Sequence, residues 1–381
     1  MKVCLVVDNL NISNGGGRLA RNFVESFAGT EIEFEIVSFN PPAVPLPVPL
    51  TILRSVWWHF LVNVWKIRSI ARRCDIVHSF DFYPNALLSS LALVGMKKGH
   101  VVTVMGTCSV SPLNREPHSM LIKSFAGSVD AIISISSYTA QKIREKLPTL
   151  SLSVIPPFSF ARPITTGEVP TAEFVNKIQG VKPYIVSVLS VLKERKGCIE
   201  NLRVFSRLAE QMPSLNYVIV ATPDGSSYSQ SVVAEIERLN LGDRVHFIGG
   251  LSEVELSHVY ANADLHLMLS HYDAKAHDIE GFGLVYLEAS SHGILSIGNY
   301  DSGARDAIEE GVSGTLIRAR NNDELTERAY QAALLLLQKR CDPQTSEQAK
   351  DFSHTFSSKR SVEAYRTLYY AVIKSEHHTK S

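Results

Sequence analysis

Residues 2–8, KVCLVVD, run straight into Asn11-Ile12-Ser13-Asn14-Gly15-Gly16-Gly17-Arg18 and then into LARNFVESF, residues 19–27. A continuous apolar run, a glycine-rich turn and a helical stretch form the opening strand–turn–helix unit of a parallel sheet. The alternation continues through FEIVSF, CDIVHS, HVVTVM, DAIISIS and LSVIP. Strands that are apolar throughout, rather than at every second residue, are covered by helices on both faces. Proline, glycine and mixed polarity then break the rhythm, and it restarts with YIVSVL, LNYVIVA, DRVHFIG, ADLHLML and GILSIG. The pattern predicts an α/β protein with two doubly wound domains: residues 1–160, a linker over 161–182, and residues 183–356. A last helix, about 357–376, packs on one of them, with the first domain preferred. Two such domains in tandem are expected to face each other across a cleft at the carboxyl ends of their strands.

The totals agree with two domains, since a chain of 381 residues exceeds the roughly 250–300 at which single cores stop growing. Basic and acidic side chains cancel at 38 each, so no global field attracts nucleic acid and any charged site is local. Nucleic acid is not an expected partner. The five cysteines, Cys4, Cys74, Cys108, Cys198 and Cys341, are scattered without a CxxC pair or zinc-like spacing, which fits reduced thiols in cytosol. No apolar run reaches the roughly 20 residues that span a bilayer, and the amino-terminal run is too short for a signal peptide. Cytoplasmic residence follows as the expectation, with any membrane contact peripheral, at the inner face.

Glycines between a strand and a helix let backbone approach a ligand, and the helix start presents N–H groups to an anion. Gly15, Gly16 and Gly17 are therefore candidates for a phosphate or sugar oxygen. Their pattern is not GxGxxG, which disfavours a nicotinamide cofactor. A sharper signal is Asp278-Ile279-Glu280-Gly281-Phe282-Gly283-Leu284-Val285-Tyr286-Leu287-Glu288-Ala289. Here two glutamates flank a Gly-Phe-Gly turn that opens an apolar helix. One carboxylate then precedes the helix and the other lies two turns inside it, suited to a sugar and to the vicinal hydroxyls of a ribose. The N–H groups from Gly281 to Val285 can meet a diphosphate at the positive end of the helix. Glu288, set among Val285, Leu287 and Ala289, needs a partner.

EGFGLVYLEASSHG resembles the Glu-x7-Glu signature of the family-4 retaining glycosyltransferases, also called glycosyl transferases group 1. The likeness covers most of the chain. NGGGR resembles their glycine loop, ERKG their donor-phosphate motif, LGDRVHFIGGLSEVELSHVYANADLHLMLS the stretch before the signature and SGARDAIEEGVSGTLI the stretch after it. The resemblance implies a GT-B fold of two Rossmann-like domains, with the carboxyl-terminal helices packing back toward the first. It implies a nucleotide-diphosphate sugar as donor and a glycan or lipid-linked hydroxyl as acceptor. Glu280 would then meet the donor sugar, Glu288 the ribose, and Lys196 the departing diphosphate. In retaining members that diphosphate itself helps to take the acceptor proton, so neither a protein nucleophile nor a metal is expected.

Three departures stand out. The arginine usual before the motif lysine is replaced by Ser190 and Val191, so Arg195 or Lys193 substitutes or leaving-group stabilisation is weaker. Met105, in VVTVMGT, occupies a place where a sugar-contacting histidine is usual. Val154-Ile155-Pro156-Pro157-Phe158 replaces a usual Asn-Gly pair, with no functional conclusion.

His78 in DIVHSFDF is a candidate at the sugar side, as is Met105, whereas His266 reads as a core or half-buried histidine. Ser136 and Ser137 read as a helix N-cap. Residues 54–73, RSVWWHFLVNVWKIRSIARR, combine three tryptophans with six basic side chains, His59 counted. They read either as a core-packing helix with a solvated basic face or as an interfacial helix meeting anionic lipid. Two other functions suit the same architecture: a nucleotide-sugar epimerase, and a non-catalytic sugar-nucleotide-binding protein.

Overall fold

The computed structural model describes residues 1–11, 15–54, 59–158, 169–339 and 342–378. Trp57, Trp58, Cys341 and residues 161–168 of the expected linker lie outside them. The chain divides into two compact units. The first comprises Met1–Phe158, Ala276–Gly281 and Ser357–Ser381; the second comprises Ser159–Lys275 and Phe282–Phe356.

In the first unit β1 (Lys2–Val7), α1 (Gly15–Ser26), β2 (Glu33–Ser38), β3 (Leu50–Ile52), α2 (Phe60–Ala71), β4 (Ile76–Phe80) and α3 (Leu87–Leu93) are followed by β5 (Gly99–Val104), α4 (Thr107–Leu113), α5 (His118–Phe125), β6 (Ala131–Ser134), α6 (Ser137–Arg144) and β7 (Ser153–Val154). The strands pair in parallel in the order β3-β2-β1-β4-β5-β6-β7. β3 escaped the periodicity because its three residues follow a proline-rich approach; it is held by backbone bonds to β2, Pro49 carbonyl accepting from Ile36 N–H at 2.8 Å.

The second unit repeats the plan with α7 (Ala172–Gly180), β8 (Tyr184–Ser190), α8 (Cys198–Gln211), β9 (Asn216–Ala221), α9 (Ser227–Arg238), β10 (Val245–Phe247), α10 (Glu253–Asn262), β11 (Leu265–Met268), α11 (Leu284–Ser291), β12 (Ser296–Asn299), α12 (Ala304–Ala307), β13 (Gly314–Ile317), α13 (Asn322–Lys339) and α14 (Pro343–His354). Its order is β10-β9-β8-β11-β12-β13, all parallel. Part of the stretch read as a linker is therefore a helix. Thr171 caps α7, and Phe174 and Ile178 enter the core with Tyr184, Val186 and Tyr260. The last helix, α15 (Ser358–His378), belongs to the first unit.

His78 is not at a sugar side. On β4, a strand buried at every residue, its ring lies in the core of the first unit. One nitrogen shares a hydrogen bond with Tyr369 Oη at 2.6 Å and the other with Thr103 Oγ1 at 2.8 Å. The histidine fastens α15 to the sheet.

His78, His100 and His266 are all sealed from water, and burial pushes their rings down to about 3, about 4 and about 3, with the Lys196 charge adding to the effect on His266. Below about 6.5 the unfolded chain protonates all three while the folded protein does not, so acid favours unfolding. Asp81 opposes this in part, because burial raises its carboxyl to about 6 and it keeps a proton that the unfolded chain loses between about 4 and 6. With three groups against one, stability at pH 5 is expected to fall below that at pH 7.5 by on the order of a few kcal/mol. A thermal midpoint that is flat or higher at pH 5 would contradict this assignment.

Candidate active site

Both sheets reverse strand order between their first and fourth sequential strands, and ligands of open α/β sheets bind beyond the carboxyl ends at that reversal. In the second unit the two strands are β8 and β11, paired through Leu265↔Ile185 and His266↔Val186. The ERKG loop leaves the first and the Glu-x7-Glu segment follows the second.

The loop after β8 opens on Ser190 in a left-handed conformation, φ 60, rare for a residue with a side chain. It tightens into a single turn over Glu194–Lys196 and ends on Gly197, which caps α8 from a left-handed conformation. A Cβ at Gly197 would lie 2.1 Å from the Leu269 carbonyl, so the loop after β11 presses directly on it. His271 N–H donates to the Arg195 carbonyl at 2.9 Å, and Leu269 N–H donates to Asn201 Oδ1 on α8 at 3.1 Å. The loops thus form one packed surface. Lys196 is buried within it, and its charge is felt by His266 on β11. A cation held this far from water gains strongly from an anionic ligand.

Gly283, also left-handed, caps α11 and has no side chain to occupy the helix start. Leu284 and Val285 form the first turn and are half-buried. Tyr286 Oη donates to the Met268 carbonyl at 2.6 Å and ties the helix to β11. Glu288 is buried, and Tyr260 Oη on α10 donates to its Oε2 at 3.1 Å, supplying a partner for that carboxylate. Tyr260 is in turn stacked on His292, ring centroids 5.5 Å apart. Phe282, expected at the donor, turns its ring into the core against Phe356 at 5.8 Å, so only its backbone is available for that role.

The first unit carries the other candidates: Gly15, Gly16, Gly17, Met105, Glu280 and Gly281. Gly15 and Gly16 open α1 and are exposed, whereas Gly17 is packed so closely that a Cβ would lie 2.1 Å from Asn9 Oδ1. Met105, half-buried, follows β5, and its N–H donates to Asp81 Oδ1 at 3.0 Å. The same oxygen accepts from Ser109 Oγ at 2.6 Å. Asp81 sits beyond the end of β4 with φ 65, buried and strained, and it anchors the Met105 turn to α4. Sequence reasoning missed it; the signal was an acid directly after an apolar strand at the point of strand reversal.

Segment Ala276–Gly281 is held in the first unit by a row of hydroxyls. Thr107 Oγ1 bonds the Asp278 carboxylate and lies 3.0 Å from both the N–H and the carbonyl of Ile279. Ser136, which caps α6 as expected by accepting from Thr139 N–H at 2.9 Å, also donates to the Gly281 carbonyl. Thr139 Oγ1 donates to the same carbonyl at 3.1 Å, and Ser111 Oγ and Arg115 hold that of Ala276 at 3.2 and 3.0 Å. Glu280 stands within this tethered stretch.

Residues 170–348 match the family described as Glycosyl transferases group 1, and residues 13–158 match Glycosyltransferase Family 4. Among characterised proteins, the GDP-mannose-dependent alpha-(1-6)-phosphatidylinositol monomannoside mannosyltransferase of Mycobacterium tuberculosis is 25% identical over 54% of this chain and 53% of its own length. The chain thus matches about half of that relative. The N-acetyl-alpha-D-glucosaminyl L-malate synthase of Bacillus anthracis is 23% identical over 83% of this chain and 80% of its own. Solved structures share the fold: a Rickettsia africae glycosyltransferase superposes with TM-score 0.76 at 18% identity, covering 98% of both chains. Anabaena HepE in complex with UDP gives 0.72 at 17% identity over 97% of this chain and 99% of its own. With both family matches falling on the two units that carry the motifs, the chain belongs to the group 1, family-4 glycosyltransferases, of GT-B fold.

Proposed function

We propose that the protein transfers a sugar, with retention of anomeric configuration, from a nucleotide-diphosphate donor to a hydroxyl of a glycan or lipid-linked acceptor. The observation that carries this is that Lys196, in the loop after β8, and Glu288, on the helix after β11, are both buried at the carboxyl edge of adjacent strands of one sheet, with no side chain capping the start of α11. Glu288, oriented by Tyr260, takes the ribose hydroxyls; Lys196, with Arg195, meets the diphosphate together with the first N–H groups of α11. Glu280 takes hydroxyls of the transferred sugar. The catalytic work is orientation and stabilisation of charge developing on the leaving diphosphate, and these groups suffice for it without a metal. The named relatives are a GDP-mannose-dependent mannosyltransferase in one case and an N-acetyl-alpha-D-glucosaminyl L-malate synthase in another, which favours this reading over an epimerase.

Thermal stability measured against a panel of nucleotide sugars and nucleoside diphosphates tests it. A ligand at a hundred times its dissociation constant stabilises by about 2.7 kcal/mol. One donor is expected to raise the midpoint in the wild type and to fail in Glu288→Ala. Release of nucleoside diphosphate that requires an acceptor then distinguishes transfer from binding alone, and the configuration of the product tests retention. No shift with any donor would count against the pocket.

A further inference from the structure

The turn between β4 and α3 sets Tyr83 against His118, the first residue of α5, with ring centroids 4.2 Å apart and planes tilted by 43°. Both rings are half-buried, with surface left open. Their support is rigid. Phe82 is fully buried and meets Phe125 of α5 edge-on at 6.4 Å, so the turn that carries Tyr83 is locked to the helix that carries His118. Asn85 Nδ2 closes the turn by donating to the Phe80 carbonyl at 2.7 Å, yet its buried Oδ1 accepts no bond from any described residue. A buried acceptor left bare is costly, and a ligand hydroxyl, directly or through one water, supplies the donor it lacks.

The surroundings select the ligand. The pair belongs to the first unit, as do Met105 and the segment that carries Glu280. Tyr83 follows closely on Asp81, which fixes the Met105 turn, and His118 follows closely on Arg115, which donates to the Ala276 carbonyl at the head of the Glu280 segment at 3.0 Å. Beside the rings stand the exposed Arg115 and Glu116, whose charges cancel. The negative face of an aromatic ring attracts the C–H groups on one side of a sugar ring, while charged neighbours meet the hydroxyls at its rim. An anionic ligand calls for a surplus of cations, and a protein partner for a broader apolar patch.

We infer that Tyr83 and His118 form a stacking platform for a saccharide ring of the acceptor, so that the acceptor is a sugar or carries one next to the reacting hydroxyl. This rests on the transfer reading and narrows its acceptor class.

The test is saturation-transfer difference NMR on the full chain, without donor, against methyl glycosides of glucose, mannose, galactose and N-acetylglucosamine. At least one is expected to take up saturation at its ring C–H protons and to bind about tenfold more weakly to Tyr83→Ala. Tyr83→Phe keeps the ring and is expected to stay within about twofold of wild type, and His118→Ala to weaken binding roughly threefold. Tyr370→Ala, which removes an exposed tyrosine on α15, serves as the control and leaves binding unchanged. The donor-induced thermal shift is kept in Tyr83→Ala. Failure of the donor pocket therefore shows as no shift with any nucleotide sugar, and failure of the platform as glycoside binding indifferent to residues 83 and 118. Should Tyr83→Ala lose the wild-type thermal midpoint, His118→Ala decides. Absence of saturation transfer to every glycoside, unchanged binding by the deciding variant, or a loss in Tyr83→Phe or Tyr370→Ala equal to that in Tyr83→Ala would each overturn the inference.

Discussion

Lys196→Ala is expected to lower sugar transfer at saturating donor roughly a hundred- to a thousandfold, the cost of removing one preorganised group that stabilises developing charge. Two features of the site place this at the upper end. Lys196 is buried, so its field is weakly screened, and with Ser190 and Val191 where an arginine is usual, Arg195 is the one arginine the proposed site sets beside it. The effect belongs in kcat more than in donor affinity, because the charge on the leaving group grows toward the transition state. Lys196→Arg retains the charge, but a planar fork does not replace a compact ammonium in a closed loop, so only partial recovery is expected. Transfer by Lys196→Ala within about threefold of wild type would refute the role.

Gly281→Ala, a change of one methyl group, is expected to cost about a hundredfold in transfer, the scale associated with displacing a reacting group by an ångström. A Cβ at residue 281 would lie 2.2 Å from the Met105 carbonyl and 3.2 Å from the Gly106 Cα, both backbone atoms that cannot rotate away. The strand end that carries Met105 is fixed by Asp81, and the segment that carries Glu280 by Thr107, Ser136 and Thr139. The weaker partner is the segment, which shifts and takes Glu280 with it. The thermal midpoint should move little, since the displaced stretch contributes few core side chains. Normal transfer by this variant would show that the close approach has no bearing on Glu280.

Much of the site was legible because its chemistry is local in sequence. Glycine loops, the ERKG turn and the two glutamates announce themselves by spacing, and each lies where a strand hands over to a helix. Phe282 and His78 misled for the same reason that the motifs helped. A residue beside a motif, or a polar residue at a strand end, reads as a ligand contact when nothing shows what packs against it. The ring of Phe282 meets Phe356, and that of His78 meets Tyr369, 74 and 291 positions further along the chain. Tyr260 and Asp81 went unread for the converse reason, since one hydroxyl on a helix and one acid after a strand carry no pattern of their own.

What the sequence determined by itself was the repeated handover of apolar strand to helix, and with it two parallel sheets, the second of which carries Lys196 and Glu288 at its carboxyl edge. Periodicity and turn chemistry are short-range, so they survive in a one-dimensional reading. Only the tertiary structure decided which polar groups are sealed, which unit holds Ala276–Gly281, and which ring Tyr83 meets. Burial, hydrogen-bond partnership and pKa all depend on neighbours that folding brings in from distant positions, and no local pattern encodes them.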